Sequence, residues 1–151
     1  MRMNASGIAA IVMAAGICAV AATHVSIAEE TADPRQAIAL EPAERAFVLN
    51  EMRNFLQSVE GIVSAVASDK TAEAASPAKK SGMGVMHAVP PTLRQKLPKE
   101  FKMMGHQTHE AFDALAQEAG SIGDKTAVLK QLETILNTCN TCHASYRLTG
   151  G

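Results

Sequence analysis

Cys139-Asn140-Thr141-Cys142-His143 constrains this chain more than any other stretch, because two thiols and an imidazole must converge on one side of the backbone to share a chemistry. Two cysteines at this spacing, followed at once by a histidine, read as a c-type haem attachment site. Each thiol can add to one vinyl group as a thioether, and the imidazole supplies a nitrogen to the iron from the same edge. On a helix, positions i, i+3 and i+4 share a face, so Cys139, Cys142 and His143 converge without a special loop. Val128, Leu132, Ile135, Cys139, Cys142 and Tyr146 follow one another at helical spacing, which predicts a continuous apolar stripe. Haem would replace core side chains along the last third of that stripe.

At the other end, Gly7 to Ala22 is a run of small and apolar residues preceded by Arg2, and Ser26-Ile27-Ala28 offers small residues ahead of Glu29. This pattern predicts a secretory signal peptide over residues 1–28, cleaved near Ala28, and export to the periplasm. The run is shorter than the ~20 residues that a membrane-spanning helix requires. Cys18 lies within it, but Ile17 is bulky where the lipobox of bacterial lipoproteins has a small residue, which argues against a lipid anchor. Residues 29–151 then form one domain of ordinary size. Its two cysteines are both taken by haem, so none remains for a structural disulfide. The chain has 14 Lys and Arg against 15 Asp and Glu; without Arg2 the balance is 13 to 15, a formal charge of -2. Nothing in that balance suggests nucleic acid as a partner.

The absence of tryptophan, the single tyrosine and the abundance of Ala, Leu, Met, Glu and Lys predict an all-α fold. Glu29 to about Ala39 reads as polar and mobile. Pro42 suits a first helical turn, with Glu41 and Glu44 near the positive end of the dipole. The helix it opens should run to Val66 on a core stripe of Leu49, Met52, Leu56, Val59, Val63 and Val66, widened by Val48, Phe55 and Ile62. Ser68 to Val89 contains Pro77, Gly82 and Gly84 and few large apolar residues, so a second helix there should be short or broken and of low stability. Pro90-Pro91 marks a boundary, Thr92 to Leu97 suits one turn, and Pro98 can open a longer helix to about Ala119 on Phe101, Met104, Thr108, Ala111 and Leu115. His106 and His109 fall off that stripe and read as solvated. Gly120 to Gly123 ends this helix, and Asp124 suits the N-cap of the last one. With so weak a second helix, the apolar face of haem is the missing partner, which predicts a loosely packed apoprotein.

In the order of its elements and in the ending Cys139 to Arg147, the chain resembles the cytochrome c prime family. These class II c-type cytochromes are antiparallel four-helix bundles with the haem motif near the C-terminus, unlike the class I fold. The resemblance follows element order along the exported chain and is strongest after about Gly120; the glycine- and proline-rich second helix departs from it. It implies a single covalent haem c carried on Cys139 and Cys142, with His143 as the proximal iron ligand. It also implies that Arg147, one turn beyond His143, holds a propionate or tunes the ligand. Family members often place an Arg that pairs with a propionate four residues before the side chain covering the distal iron face, and Arg45 followed by Leu49 fits that spacing. In low-spin relatives a Met closes the sixth position, for which Met52 is the candidate. Met83, Met86 and His87 read first as a mobile surface loop, with folding over the haem the alternative.

A zinc site would need four ligands, and no second Cys or His pair sits at suitable spacing. A thioredoxin-like dithiol would open a helix after a strand, whereas this pair closes the last helix of a chain read as strand-free. No paired carboxylates, nucleophile elbow or phosphate-cradling loop is visible, and a peroxidase would want polar distal groups where Leu49 is expected, so no enzyme is predicted. Two functions stand. One is a periplasmic electron carrier serving a redox partner protein. The other is a five-coordinate haem module that binds a small diatomic gas, nitric oxide or carbon monoxide. Bundles of this kind often pair as homodimers through the first helix, and Phe47 is a candidate contact.

Overall fold

A computed structural model describes residues 33–150 of the chain. The expected signal peptide, with Cys18 and His24, lies outside the described residues. Five α-helices run in order: α1 Pro42–Ala67, α2 Ala75–Lys80, α3 Pro91–Lys96, α4 Lys99–Ser121 and α5 Lys125–Ser145. Two short strands flank them, β1 Gln36–Leu40 and β2 Tyr146–Gly150. The described part is thus mostly helical. No described helix is long and apolar enough to cross a membrane.

Helix α1 begins with Pro42 in its first turn, and the Glu44 carboxylate accepts the Glu41 backbone N–H at 3.1 Å. Lys96 on α3 donates to the same carboxylate at 2.8 Å and holds its pKa below the usual value. The inward face of α1 is Val48, Phe55, Ile62 and Val66. Leu56 and Val63, expected in the core, are 69% and 48% exposed. Each residue turns a helix by about 100°, so the two heptad-spaced rows Val48, Phe55, Ile62 and Leu49, Leu56, Val63 point in different directions. Tertiary packing chose the first row.

The segment after α1 is broken as expected, into a 3-10 turn Thr71–Ala74, the short α2 and a second 3-10 turn Met83–Ala88. It is not loosely packed. Ala74, Ala78 and Ser81 are completely buried, and a Cβ on Gly61 of α1 would stand 2.7 Å from Pro77. Small side chains let the backbones approach closely, which replaces the bulk that a sequence pattern looks for. The main core joins these residues to Ile62 of α1, Phe112 and Leu115 of α4, and Val128 and Ile135 of α5. Phe55 and Phe112 stack at 5.5 Å in its midst.

Helix α4 closes at Gly123, whose positive φ of 68° suits glycine and whose N–H bonds the Glu118 carbonyl at 3.0 Å. Asp124 then caps α5, its carboxylate accepting the Ala127 N–H at 2.6 Å. Val128, Leu132 and Ile135 are buried as the stripe predicted.

The strands correct the strand-free reading. β1 and β2 pair in parallel, Gln36 opposite Tyr146 and Leu40 opposite Gly150. Ile38 and Leu40 are buried with Val48 and Leu93 in a second, smaller core, so the end of the stretch expected to be mobile is ordered. The alternation of small or polar and large residues in Gln36–Leu40 places one face of the strand inward.

Candidate functional site

Helix α5 carries the motif within its regular turns, so Cys139, Cys142 and His143 occupy i, i+3 and i+4. Cys139 is half-buried against the main core. Cys142 lines a cavity of about 610 Å³ that lies between the two cores and is walled mainly by apolar side chains. Phe55 borders it from the main core, and Val48 and Leu93 border it from the smaller one. His143 is exposed, and its carbonyl accepts a hydrogen bond from Arg35 Nη1 at 3.3 Å. This bond ties the segment before β1 to the end of the motif.

Both thiols are free, and burial raises the pKa of each; for Cys142, the neighbouring Cys139 adds to the rise. A dithiol built for exchange has the opposite property, a lowered thiol pKa in electropositive surroundings. Among the described residues no cluster of three or more His, Cys, Asp or Glu side chains is placed to hold a metal ion. Cys142 thus meets the apolar cavity and Cys139 the main core.

Three further observations concern what the cavity can hold. Its volume falls in the range of ~300–1,000 Å³ usual for small-molecule and cofactor sites. Gly105 of α4 lines it, and a Cβ there would meet nothing within 4 Å, so the glycine widens the space. Met52, Met86 and His87 also line it. Of the three motif residues only Cys142 lines it, and a flat apolar ring held there would fit this space.

Other expected site residues lie elsewhere. Arg45 and Leu49 line a separate groove of about 460 Å³ with Leu40 and Leu148, because the cavity takes the face of α1 that carries Val48, Met52 and Phe55. Leu49 thus does not cover the space beside Cys142. Arg147 is not one helical turn beyond His143, since α5 ends at Ser145 and Tyr146 is already extended. It lies on β2, its Nε buried without a hydrogen bond and 3.8 Å from Asp33 Oδ2. Met83 lines a different surface depression beside Asp113. Phe47 walls the cavity instead of facing outward. Tyr146 packs edge-on against Phe101 at 5.4 Å, bracing the chain where it leaves α5.

The residue that sequence reasoning missed is His109. It is 4% exposed and lines the cavity, and its Nδ1 sits 2.8 Å from the Ser81 carbonyl. His106, by contrast, is exposed and lies 3.2 Å from Glu110, as a solvated residue does. The available signal was the spacing of His109, three positions before Phe112 on the face that continues to Leu115, Ala116 and Ala119.

No curated protein and no solved structure matches the chain. A family model described as Cytochrome C' matches residues 94–147, which include α4, α5, both cysteines and His143. Over that segment the chain is similar to the cytochrome c prime family of class II c-type cytochromes.

Proposed function

We propose that this chain is a periplasmic electron carrier with one haem c, joined through thioethers to Cys139 and Cys142 and ligated by His143. The observation that carries this reading is Cys142 at the wall of an apolar cavity of about 610 Å³, one helical turn from Cys139 and next to His143. Haem iron supplies one-electron redox chemistry when bound. Phe55, Val48 and Leu93 would exclude water from it, and His143, exposed on the turn that carries Cys142, would supply the iron with a nitrogen. Helices α1, α4 and α5 would form an antiparallel four-helix bundle with the broken α2 region in second place.

Transfer is favoured over gas binding because the apolar cover required for an open iron, Leu49, faces another groove, whereas Met52 and His109 both offer ligand atoms at the cavity. The reading gives the chain no catalytic residues and makes it a carrier for a redox partner protein. Export rests on the signal-like residues 1–28. Pairing into a homodimer would use the exposed Leu56 and Val63 of α1.

Expression with haem-maturation machinery tests the proposal. The expected product is red, keeps its pigment through acid-acetone extraction, and cycles reversibly between ferric and ferrous forms. A colourless product, or pigment lost to extraction, overturns it. A high-spin ferrous form that shifts sharply with carbon monoxide would support the gas-binding function instead.

A further inference from the structure

Three histidines line the cavity with Cys142, namely His87, His106 and His109, and they differ in kind. His87 is exposed on the 3-10 turn Met83–Ala88. His106 is exposed and paired to Glu110. His109 is buried with a fixed ring. Its Nδ1 lies 2.8 Å from the Ser81 oxygen, and a carbonyl can only accept, so Nδ1 donates and Nε2 is the ring nitrogen left for a ligand. Among the described residues Nε2 has no hydrogen-bond partner. It is nevertheless not one of the sealed, partnerless side-chain atoms, which are Gln131 Oε1 and Arg147 Nε. The residue lines the cavity.

The group that orients His109 is itself immobilised. Ser81 is the C-cap of α2, which leaves its carbonyl outside the helical ladder. Its hydroxyl lies 2.8 Å from Ser58 Oγ on α1, and both residues are buried. The next residues are held by Asp113, whose carboxylate accepts the Met83 N–H at 2.9 Å. Phe55, with its ring centre 5.0 Å from that of His109, closes the other side. A neutral imidazole whose far nitrogen donates to a fixed backbone carbonyl is the usual form of a metal-ligating histidine. Ser58 and Phe55 of α1, Asp113 of α4 and Ser81 at the end of α2 thus fix one imidazole at an apolar cavity.

We propose that His109 Nε2 is the sixth ligand of the haem iron, making the chain a bis-histidine cytochrome in which Met52 only packs. This rests on the haem reading above and adds to it the identity of the distal ligand. It closes the iron to diatomic gases and withholds the rise in potential that a methionine ligand brings.

The test uses the full chain matured with haem, read by absorption and electron paramagnetic resonance in both oxidation states. The wild type should be low-spin without the sulfur-to-iron band of methionine ligation, and its ferrous form should take up no carbon monoxide. His109→Gln, which keeps a donor for Ser81, should become high-spin and bind carbon monoxide; the same change in Met52→Leu, His87→Ala or His106→Ala in place of His109→Gln overturns the proposal. A red, high-spin wild type overturns the proposal and leaves the haem reading standing. So does a methionine band that disappears in Met52→Leu. A colourless wild type overturns the haem reading and this ligand with it. Should His109→Gln fail to fold, the wild-type spectrum and the other three variants decide the matter.

Discussion

Gly82 lies so close to Asp113 that a side-chain carbon at Gly82 would overlap both carboxylate oxygens. Asp113 cannot yield freely, because it accepts from the Met83 N–H at 2.9 Å and from Lys79 Nζ at 3.0 Å. Those bonds, the Met83 N–H first, hold its carboxyl below the ordinary pKa. Gly82→Ala should therefore destabilise the chain by about 1–3 kcal/mol, the usual range for overpacking. Urea melts of the two forms would show it, and a cost near zero would mean that the turn relaxes away.

Gly105 offers the reverse case. A methyl group there meets nothing, and in a helix interior alanine is favoured over glycine by about 0.5–1 kcal/mol, so Gly105→Ala should raise the stability of the haem-free chain by that amount. A larger side chain would extend into the cavity that Gly105 lines. Gly105→Leu should accordingly lower the haem content per protein in maturation, read as the ratio of pigment to peptide absorbance, while the chain still folds.

Asp33 sets an acid limit. The Arg35 side chain, then the Arg35 backbone N–H, then the charges of Arg35 and Arg147 draw its carboxyl from 3.8 down to about 2. A depressed value means that the unfolded chain takes up the proton more readily, so the stabilisation is complete above 3.8 and lost as pH falls through about 2. Wild type should melt more easily as pH drops through that window, and the gap between it and Asp33→Asn should close by its lower end. Salt should narrow the gap, since the group faces solvent.

The exposed row on α1 predicts self-association. Leu56 and Val63, one heptad apart, are 69% and 48% exposed. Leu56→Glu with Val63→Glu should shift a dimer to monomer in sedimentation while leaving the melting temperature of the monomer within about 0.5 kcal/mol in stability terms, as surface changes do. Phe47→Ala should not act this way, because Phe47 walls the cavity.

The last helix was legible because three signals agreed there: the cap at Asp124, the stripe of Val128, Leu132 and Ile135, and the cysteine spacing. In α1 two rows of equal spacing competed, and nothing local distinguishes Phe55 from Leu56 as the inward residue. The choice follows from α2, whose Ala74 and Ala78 invite close approach yet give a weak apolar signal. The pairing of Gln36–Leu40 with Tyr146–Gly150 joins distant segments and has no local signature beyond the alternation of Ile38 and Leu40. That pairing also displaced Arg147 from its expected helical position. His109 went unread because a histidine three positions from a core phenylalanine is judged by its polarity, and its partner, the Ser81 carbonyl, is a backbone group that no side-chain pattern reveals.

Parallel pairing of Gln36–Leu40 with Tyr146–Gly150 bears on when the protein can finish folding. A ribosome delivers the first of these segments long before the second. Until Tyr146–Gly150 emerge, Ile38 and Leu40 have no neighbouring strand, and the native topology stays open. The cysteines are also late arrivals, and they appear just ahead of the segment that completes the sheet. Closure of the topology therefore waits on the later of the two strands, whatever the helices between them have already formed.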